Sequence, residues 1–299
     1  MVKKKKYNRN RLVSLIIVNW NGEDVLAECL DSVFSQDYKP IKVIVVDNGS
    51  QDNSLKIIKR YKKIKLIKNF ENLGFAEGNN IGIRAAKGDY IFLLNNDTVL
   101  KKNCITELIN AIEATSEVAF VGPRINYYKT DKIWSLGVRV EYLSYRHKLM
   151  TNELDKVTQV PYIVGCAMMC RADVIKSYPL MDPGYFSYYE ESDWQARIKK
   201  NGYKILVAPG AVVWHKIAQS TGGADSAFSI YYLSRNRGYF IKKNLNLTQK
   251  FTAYPLYLAE IKIRFWLYIL KGKPKLSKYT LIGFLDFLKG KRGKVDYRF

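Results

Sequence analysis

The stretch that most constrains this chain is Gly88-Asp89-Tyr90-Ile91-Phe92-Leu93-Leu94-Asn95-Asn96-Asp97-Thr98. Tyr90 to Leu94 are apolar without alternation, the pattern of a strand covered on both faces, as in α/β sheets flanked by helices. The run ends abruptly in three polar side chains, a carboxylate last. A buried strand that delivers Asp97 at its tip is the first candidate for a site.

Neighbouring segments repeat the pattern. Leu12 to Val18 is a β-branched apolar run followed by the loop Asn19-Trp20-Asn21-Gly22. Leu26, Leu30, Val33 and Phe34 then fall at helical spacing, and a second run, Ile41 to Val46, follows Pro40. Strand, helix, strand is a parallel βαβ unit. The second strand ends in the polar loop Asp47-Asn48-Gly49-Ser50-Gln51-Asp52-Asn53-Ser54, at the carboxyl end where open α/β sheets place ligands. Asp47 reads equally well as a turn cap. Ile64 to Ile67 is a third strand, Asn72 to Gly82 opens a helix reaching about Ala86, another helix spans about Asn103 to Ala114, and Val118 to Val121 is a further strand. Such alternation defines a doubly wound α/β unit. After Pro123 the pattern turns to mixed β, with Trp134 to Tyr145 and Val160 to Arg171 reading as strands. Neither a G-x-G-x-x-G after a strand nor a G-x-x-x-x-G-K-[ST] motif occurs, so dinucleotide and P-loop chemistry are not indicated.

The second half carries more chemistry. Pro183 to Tyr189 is an aromatic loop leading into Glu190-Glu191-Ser192-Asp193, the densest acidic cluster, and a helix ending at Asn201-Gly202. Acids at a helix start favour the macrodipole and cap the first amides, which accounts for Asp193 but does not need three carboxylates. His215, one of two histidines, ends the run Val212-Val213-Trp214 beside Lys216; taken alone, it reads as a structural residue. After the loop Ser220-Thr221-Gly222-Gly223, a helix ending near Asn244 carries Arg235 and Arg237, which face either solvent or phosphate.

Charge marks out the ends. Residues 1–11 hold six Lys/Arg and no acid, and residues 225–299 hold sixteen against four. Basic termini suit a polyanion such as anionic lipid, a phosphorylated acceptor or nucleic acid. Three regions follow: a basic tail, 1–11; a catalytic domain, 12–245; and a basic, amphipathic helical extension, 246–299. In the extension, Tyr257, Ile261, Phe265 and Tyr268 share one helical face, and Leu281, Phe284, Leu285 and Leu288 another. Glu260, Lys262 and Arg264 interrupt any membrane-spanning run of ~18 apolar residues, leaving an interfacial helix or packing on the domain. Four cysteines without C-x-x-C spacing read as reduced structural thiols. No leader is readable after Lys3 to Lys6, so a cytoplasmic location is expected, with peripheral attachment to the cytosolic membrane face.

Taken in order, VSLIIVNWNG, VVDNGSQDNS, NLGFAEGNNIGIRAAKGDYIFLLNNDT, GCAMMCR, YYEESDWQARIKKNGYKI, VWHK and YYLSRNR resemble the family 2 glycosyltransferases, within them the rhamnosyltransferase-like enzymes of polysaccharide assembly. The resemblance covers about residues 12–245. It implies the GT-A nucleotide-diphospho-sugar transferase fold, a doubly wound mixed α/β sheet flanked by helices, here with the C-terminal helical extension. It assigns Asp47 to the uracil or thymine ring with Asn19 beside it, Asp97 and His215 to Mg²⁺ or Mn²⁺ on the diphosphate, and Glu191 to the general base. It also puts Asn48, Asn72, Asn79, Asn96, Lys216, Arg235 and Arg237 on the donor side. Gly165, Cys166, Glu190, Asp193 and Trp194 fall to the acceptor side or to the surrounding structure. Two departures stand out: Asn95 and Asn96 replace metal-motif carboxylates, and Glu191 replaces an aspartate, moving the carboxylate by about one C–C bond, ~1.5 Å.

The expected activity is therefore inverting transfer from a UDP- or dTDP-sugar, dTDP-rhamnose among them, to a hydroxyl of a glycan or lipid-linked glycan. No nucleic acid is expected as partner. One rival is a sugar-phosphate nucleotidyltransferase, which would need a Gly-rich basic loop where Asn19 to Gly22 stand. The other is a non-catalytic module binding anionic lipid or nucleic acid through the basic termini, which would leave Asp47, Asp97 and Glu191 without a role.

Overall fold

The computed structural model describes residues 11–217, 226–297 and 299. The expected basic tail, apart from Arg11, and the Ser220 to Gly223 loop lie outside the described residues. The elements are β1 (Val13–Asn19), α1 (Leu26–Phe34), β2 (Ile41–Asp47), α2 (Ser54–Ile58), β3 (Ile64–Lys68), α3 (Gly74–Ala85), β4 (Tyr90–Asn95), β5 (Thr98–Leu100), α4 (Cys104–Ile112) and β6 (Val118–Tyr127). Then come β7 (Ile133–Ser135), β8 (Val138–Val140), β9 (His147–Leu149), β10 (Thr158–Gln159), β11 (Ala167–Arg171), α5 (Ala172–Lys176), α6 (Glu190–Lys199), β12 (Lys204–His215), α7 (Ala227–Asn244), α8 (Leu247–Leu270) and α9 (Pro274–Leu288).

The main sheet runs β10-β12-β6-β11-β4-β1-β2-β3, with β5 added to β12 and β7 to β6. β3, β2, β1 and β4 are parallel and β11 is antiparallel to β4 and β6. Because β1 lies between β2 and β4, the chain reverses its direction of travel across the sheet there, and the crevice at the carboxyl ends of β1 and β4 is where such sheets bind ligands. One apolar layer packs α1, α2 and α4 on one face; another packs α3, α5 and α6 on the other. The unbroken burial of Tyr90 to Leu94 follows from this double cover.

The structure corrects the reading around Pro123. β6 continues through it to Tyr127, pairing with β12, whose register shifts between Ala208 and Val212. The bulge at Pro209-Gly210 accommodates a proline that lacks the ladder N–H, so two segments that read as broken form one long strand pair. Conversely, the expected strand Trp134 to Tyr145 divides into β7 and β8 around Gly137, whose φ is 100°.

The C-terminal helices pack on α7 rather than forming a separate unit. Tyr257 and Ile261 are buried as their face requires, but on α9 the buried face runs from Leu276, Ser277, Tyr279 and Thr280 to Gly283, Asp286 and Phe287, while Leu281, Leu285 and Leu288 point outward. Gly283 decides this: a β-carbon there would stand 2.5 Å from the Tyr231 carbonyl oxygen on α7. The chain end then returns to the catalytic domain, with Gly293 N–H donating to the Gly184 carbonyl at 2.7 Å and Lys294 pairing with Glu71 at 2.8 Å.

Candidate active site

Three parallel strands bring their polar ends together. Register pairs Asn19 with Asp47 across β1 and β2, and Val18 with Asn95 across β1 and β4. Asn19 links the loops: its Nδ2 donates to Asp47 Oδ1 and Ser50 Oγ, each at 3.1 Å, and its Oδ1 accepts from Asn96 Nδ2 at 2.8 Å. Asp47 Oδ2 also accepts from Ser50 N–H at 3.1 Å. Gly22 is required beside them, because a β-carbon would overlap both Asn19 and Asn96. Asn96 thus orients the asparagine that orients Asp47.

Asp97 meets His215 because the short β5 pairs antiparallel with the end of β12, setting His215 opposite Thr98, and Lys216 N–H donates to the Asp97 carbonyl at 2.9 Å. His215 Nε2 lies 3.2 Å from Asp97 Oδ1, which is buried without an aligned hydrogen-bond donor, as is His215 Nδ1. Trp134 stacks edge-on against the imidazole with centroids 5.0 Å apart. Burial disfavours the imidazolium, but the Cys166 thiol and the Asp97 carboxylate outweigh it and raise His215 to about 10. As it stands the pair is an imidazolium–carboxylate contact; with the His215 proton lost, a carboxylate oxygen and an imidazole nitrogen 3.2 Å apart are of the kinds a divalent cation takes, with the remaining positions left to the ligand or water.

Glu191 stands on the first turn of α6, held up by an aromatic loop in which Phe186, Tyr188 and Tyr189 have φ of 65°, 67° and 74°. Left-handed bulky residues are costly and persist where surroundings enforce them. Asn236 does so, its Nδ2 lying 2.9, 2.7 and 2.8 Å from the Tyr185, Ser187 and Tyr188 carbonyls. Burial raises the Glu191 carboxyl above its ordinary value, and raises Glu190 much further, where the charge of Glu191 adds to burial. Each has a buried oxygen without a partner. Two adjacent buried acids titrate as a pair, and burial makes that pair hold a proton more readily than two exposed carboxylates would.

Gly165 and Cys166, at the entry to β11, join the two halves. A β-carbon on Gly165 would stand 3.3 Å from Glu191 Cγ, and the Cys166 thiol reaches the His215 ring. One dipeptide therefore touches both the acid on α6 and the imidazole on β12.

Several side chains expected at the site are engaged elsewhere. Arg235 is fully buried; its guanidinium donates to the carbonyls of Gly293 at 2.8 Å and Tyr185 at 2.9 Å and to Asn236 Oδ1 at 2.9 Å, so it anchors the aromatic loop instead of meeting phosphate. Arg237 pairs with Glu260 and the Ser144 carbonyl. Asp193 caps nothing: it turns into α7 and accepts from Arg197, Lys243 and Asn244. Trp194 is core, against Phe120 with centroids 5.1 Å apart. Asn79 bonds the Phe75 carbonyl of its own helix, and Asn48 ties Asn69, Asn72 and Gly74. Asn72 accepts from the Gly74 N–H. Lys216, next to His215, pairs with Glu28 at 2.5 Å. Sequence reasoning missed Ser50, Trp134 and Asn236; the N of the R-N-R triplet was the one visible signal for Asn236.

The fold and this site define a glycosyltransferase of the GT-A type. Residues 14–178, more than half of the chain, match glycosyl transferase family 2, and the chain belongs to that family. An uncharacterized glycosyltransferase of Haemophilus influenzae is 24% identical over 93% of this chain and 90% of its own length. Among solved structures, the mannosyltransferase PcManGT of Pyrobaculum calidifontis, in complex with GDP-Man and Mn²⁺, superposes with a TM-score of 0.60 at 15% identity, over 94% of this chain and 88% of that one. GalNAc-T7 with UDP, GalNAc and Mn²⁺ superposes with a TM-score of 0.63 at 17% identity, over 94% of this chain and 56% of that one.

Proposed function

We propose that this glycosyltransferase is metal-dependent and inverting, moving a sugar from a UDP- or dTDP-linked donor, dTDP-rhamnose among the candidates, to a hydroxyl of a glycan or lipid-linked glycan. The observation that supports the reading is the Gly165-Cys166 dipeptide, with Gly165 packed next to Glu191 and the Cys166 thiol at the His215 ring. Asp47, with lone pairs left beyond its bonds to Asn19 and Ser50, accepts from the base N–H of the nucleotide. Asp97 and a deprotonated His215 would hold Mg²⁺ or Mn²⁺, whose positive charge would favour departure of the diphosphate. Glu191 takes the proton of the acceptor hydroxyl as that oxygen attacks the anomeric carbon from the face opposite the leaving group, so one displacement inverts the centre. A panel of UDP- and dTDP-sugars with Mn²⁺, scored by thermal shift and slow donor hydrolysis, tests this. Stabilisation by no member, or by all equally without Mn²⁺, refutes it.

The acceptor side of the reading includes an anionic membrane surface. No helix among the described residues is long and apolar enough to cross a membrane, yet α8 exposes Leu256, Ile263, Trp266, Leu267 and Leu270, with Lys262, Lys271, Lys273 and Lys275 exposed nearby. Apolar insertion flanked by lysines suits an interface rich in anionic lipid. Salt-sensitive flotation with phosphatidylglycerol vesicles, lost on Trp266→Glu, is the expected result; equal flotation with phosphatidylcholine alone refutes it.

A further inference from the structure

A cavity of about 180 Å³ lies where α7, α8 and the β8–β9 hairpin meet, and neither Asp97 nor His215 lines it. Three of its side chains are guanidinium groups: Arg146 from the hairpin, Arg237 from α7 and Arg264 from α8. All three converge on one carboxylate, Glu260, with Arg264 at 2.9 Å, Arg146 at 3.9 Å and Arg237 in direct contact. One acid cannot neutralise three cations, so the cavity keeps an excess of two positive charges. Nor are its donors used up. Arg237, only 5% exposed, has an Nε with no partner, and the buried Ser234 Oγ and His147 Nε2, both lining the cavity, also lack one. Burial and the nearby Arg237 and Lys199 push His147 down to about 3, so the ring is neutral and adds no charge of its own.

Leaving a buried guanidinium N–H and a buried hydroxyl unpaired forfeits the hydrogen bonds both would make with water in the unfolded chain. An internal salt-bridge cluster made for stability would have closed on itself, as Asp193 does with Arg197, Lys243 and Asn244. We propose that this cavity is an anion site for a phosphate or diphosphate group, whose oxygens would meet the Arg237 Nε–H, the Ser234 hydroxyl and the outer faces of Arg146 and Arg264. Guanidinium forks match phosphate oxygens in pairs, and the volume, about six water molecules' share, admits a diphosphate head. The exposed Ile263, Trp266 and Leu267 of α8 begin within a turn of Glu260 and Arg264, so a phosphate bearing an apolar chain and a soluble phosphate are both possible sources. Tyr189 lines the cavity and immediately precedes Glu190 and Glu191. That the anion belongs to an acceptor rests on the proposed function; its binding does not.

Calorimetry on the full chain in EDTA, with inorganic pyrophosphate as the probe, tests the site without engaging the metal-dependent donor pocket. One binding event is expected, weakened roughly tenfold or more in Arg146→Gln/Arg264→Gln, weakened severalfold in Ser234→Ala, and unchanged in Asp97→Ala. Farnesyl diphosphate binding much more tightly than pyrophosphate assigns the lipid source; equal affinities assign a soluble phosphate. No binding, binding indifferent to both the arginine pair and Ser234→Ala, or binding abolished by Asp97→Ala overturns the proposal. Ser234→Ala leaves the ion network intact, so a folding defect in the double variant would not mask the answer.

Discussion

Glu191→Gln separates chemistry from folding. The change removes a charge and keeps the volume, so the side chain's packing beside Gly165 survives. A carboxyl whose pKa is raised by burial, as Glu191's is, binds its proton more tightly in the folded than in the unfolded chain. Its favourable contribution is complete below the unfolded value of ~4.3 and is lost as pH rises through the folded value. At neutral pH the ionised group is therefore a cost to the fold, which glutamine relieves. The variant should melt at or above the wild type, with a gap that widens as pH rises from about 4.3. Its kcat should fall by ~10²–10⁴, the usual worth of a positioned general base, which is roughly 3–5.5 kcal/mol of barrier. Donor KM should stay near its wild-type value, since the base does not hold the nucleotide. Calorimetric melting across pH, beside transfer rates at saturating donor, reads all three. Transfer within about tenfold of wild type would refute the base assignment, and a clear loss of stability would mean that the carboxylate makes a structural bond.

Asp97→Ala and His215→Ala should each abolish Mn²⁺-dependent binding of UDP or dTDP; calorimetry showing unchanged affinity with metal would disprove the pair. Asp193→Ala leaves Lys243, Arg197 and Asn244 without their shared acceptor. Its cost should be roughly 2–4 kcal/mol, below the ~3–5 of a wholly buried pair because Lys243 and Arg197 keep solvent contact, seen in the denaturant midpoint with donor affinity of the folded fraction intact. Gly74→Ala puts a β-carbon 2.5 Å from the Phe186 carbonyl at a φ of 83°. It should cost about 2–4 kcal/mol and lower kcat as well, because that contact ties the Asn48 and Asn72 loop to the segment carrying Glu191.

The parallel core was legible in the chain because its strands are covered on both faces. Val13 to Asn19, Ile41 to Asp47 and Tyr90 to Asn95 need no alternation, and each spills its polar residues where the strand leaves the sheet. The ordered motifs carried the family and named Asp97, His215 and Glu191. Tertiary structure decided what those residues meet. His215 finds Asp97 through β5, three residues long and too short to announce itself, and through a β12 that survives a Pro-Gly bulge. Arg235 and Arg237 stand on a helix buried on most of its circumference, so no polar face in the sequence tells which arginine holds a loop and which opens on a cavity. The raised carboxyls of Glu190 and Glu191 are of the same kind: burial is their largest cause, and burial depends on packing from distant segments.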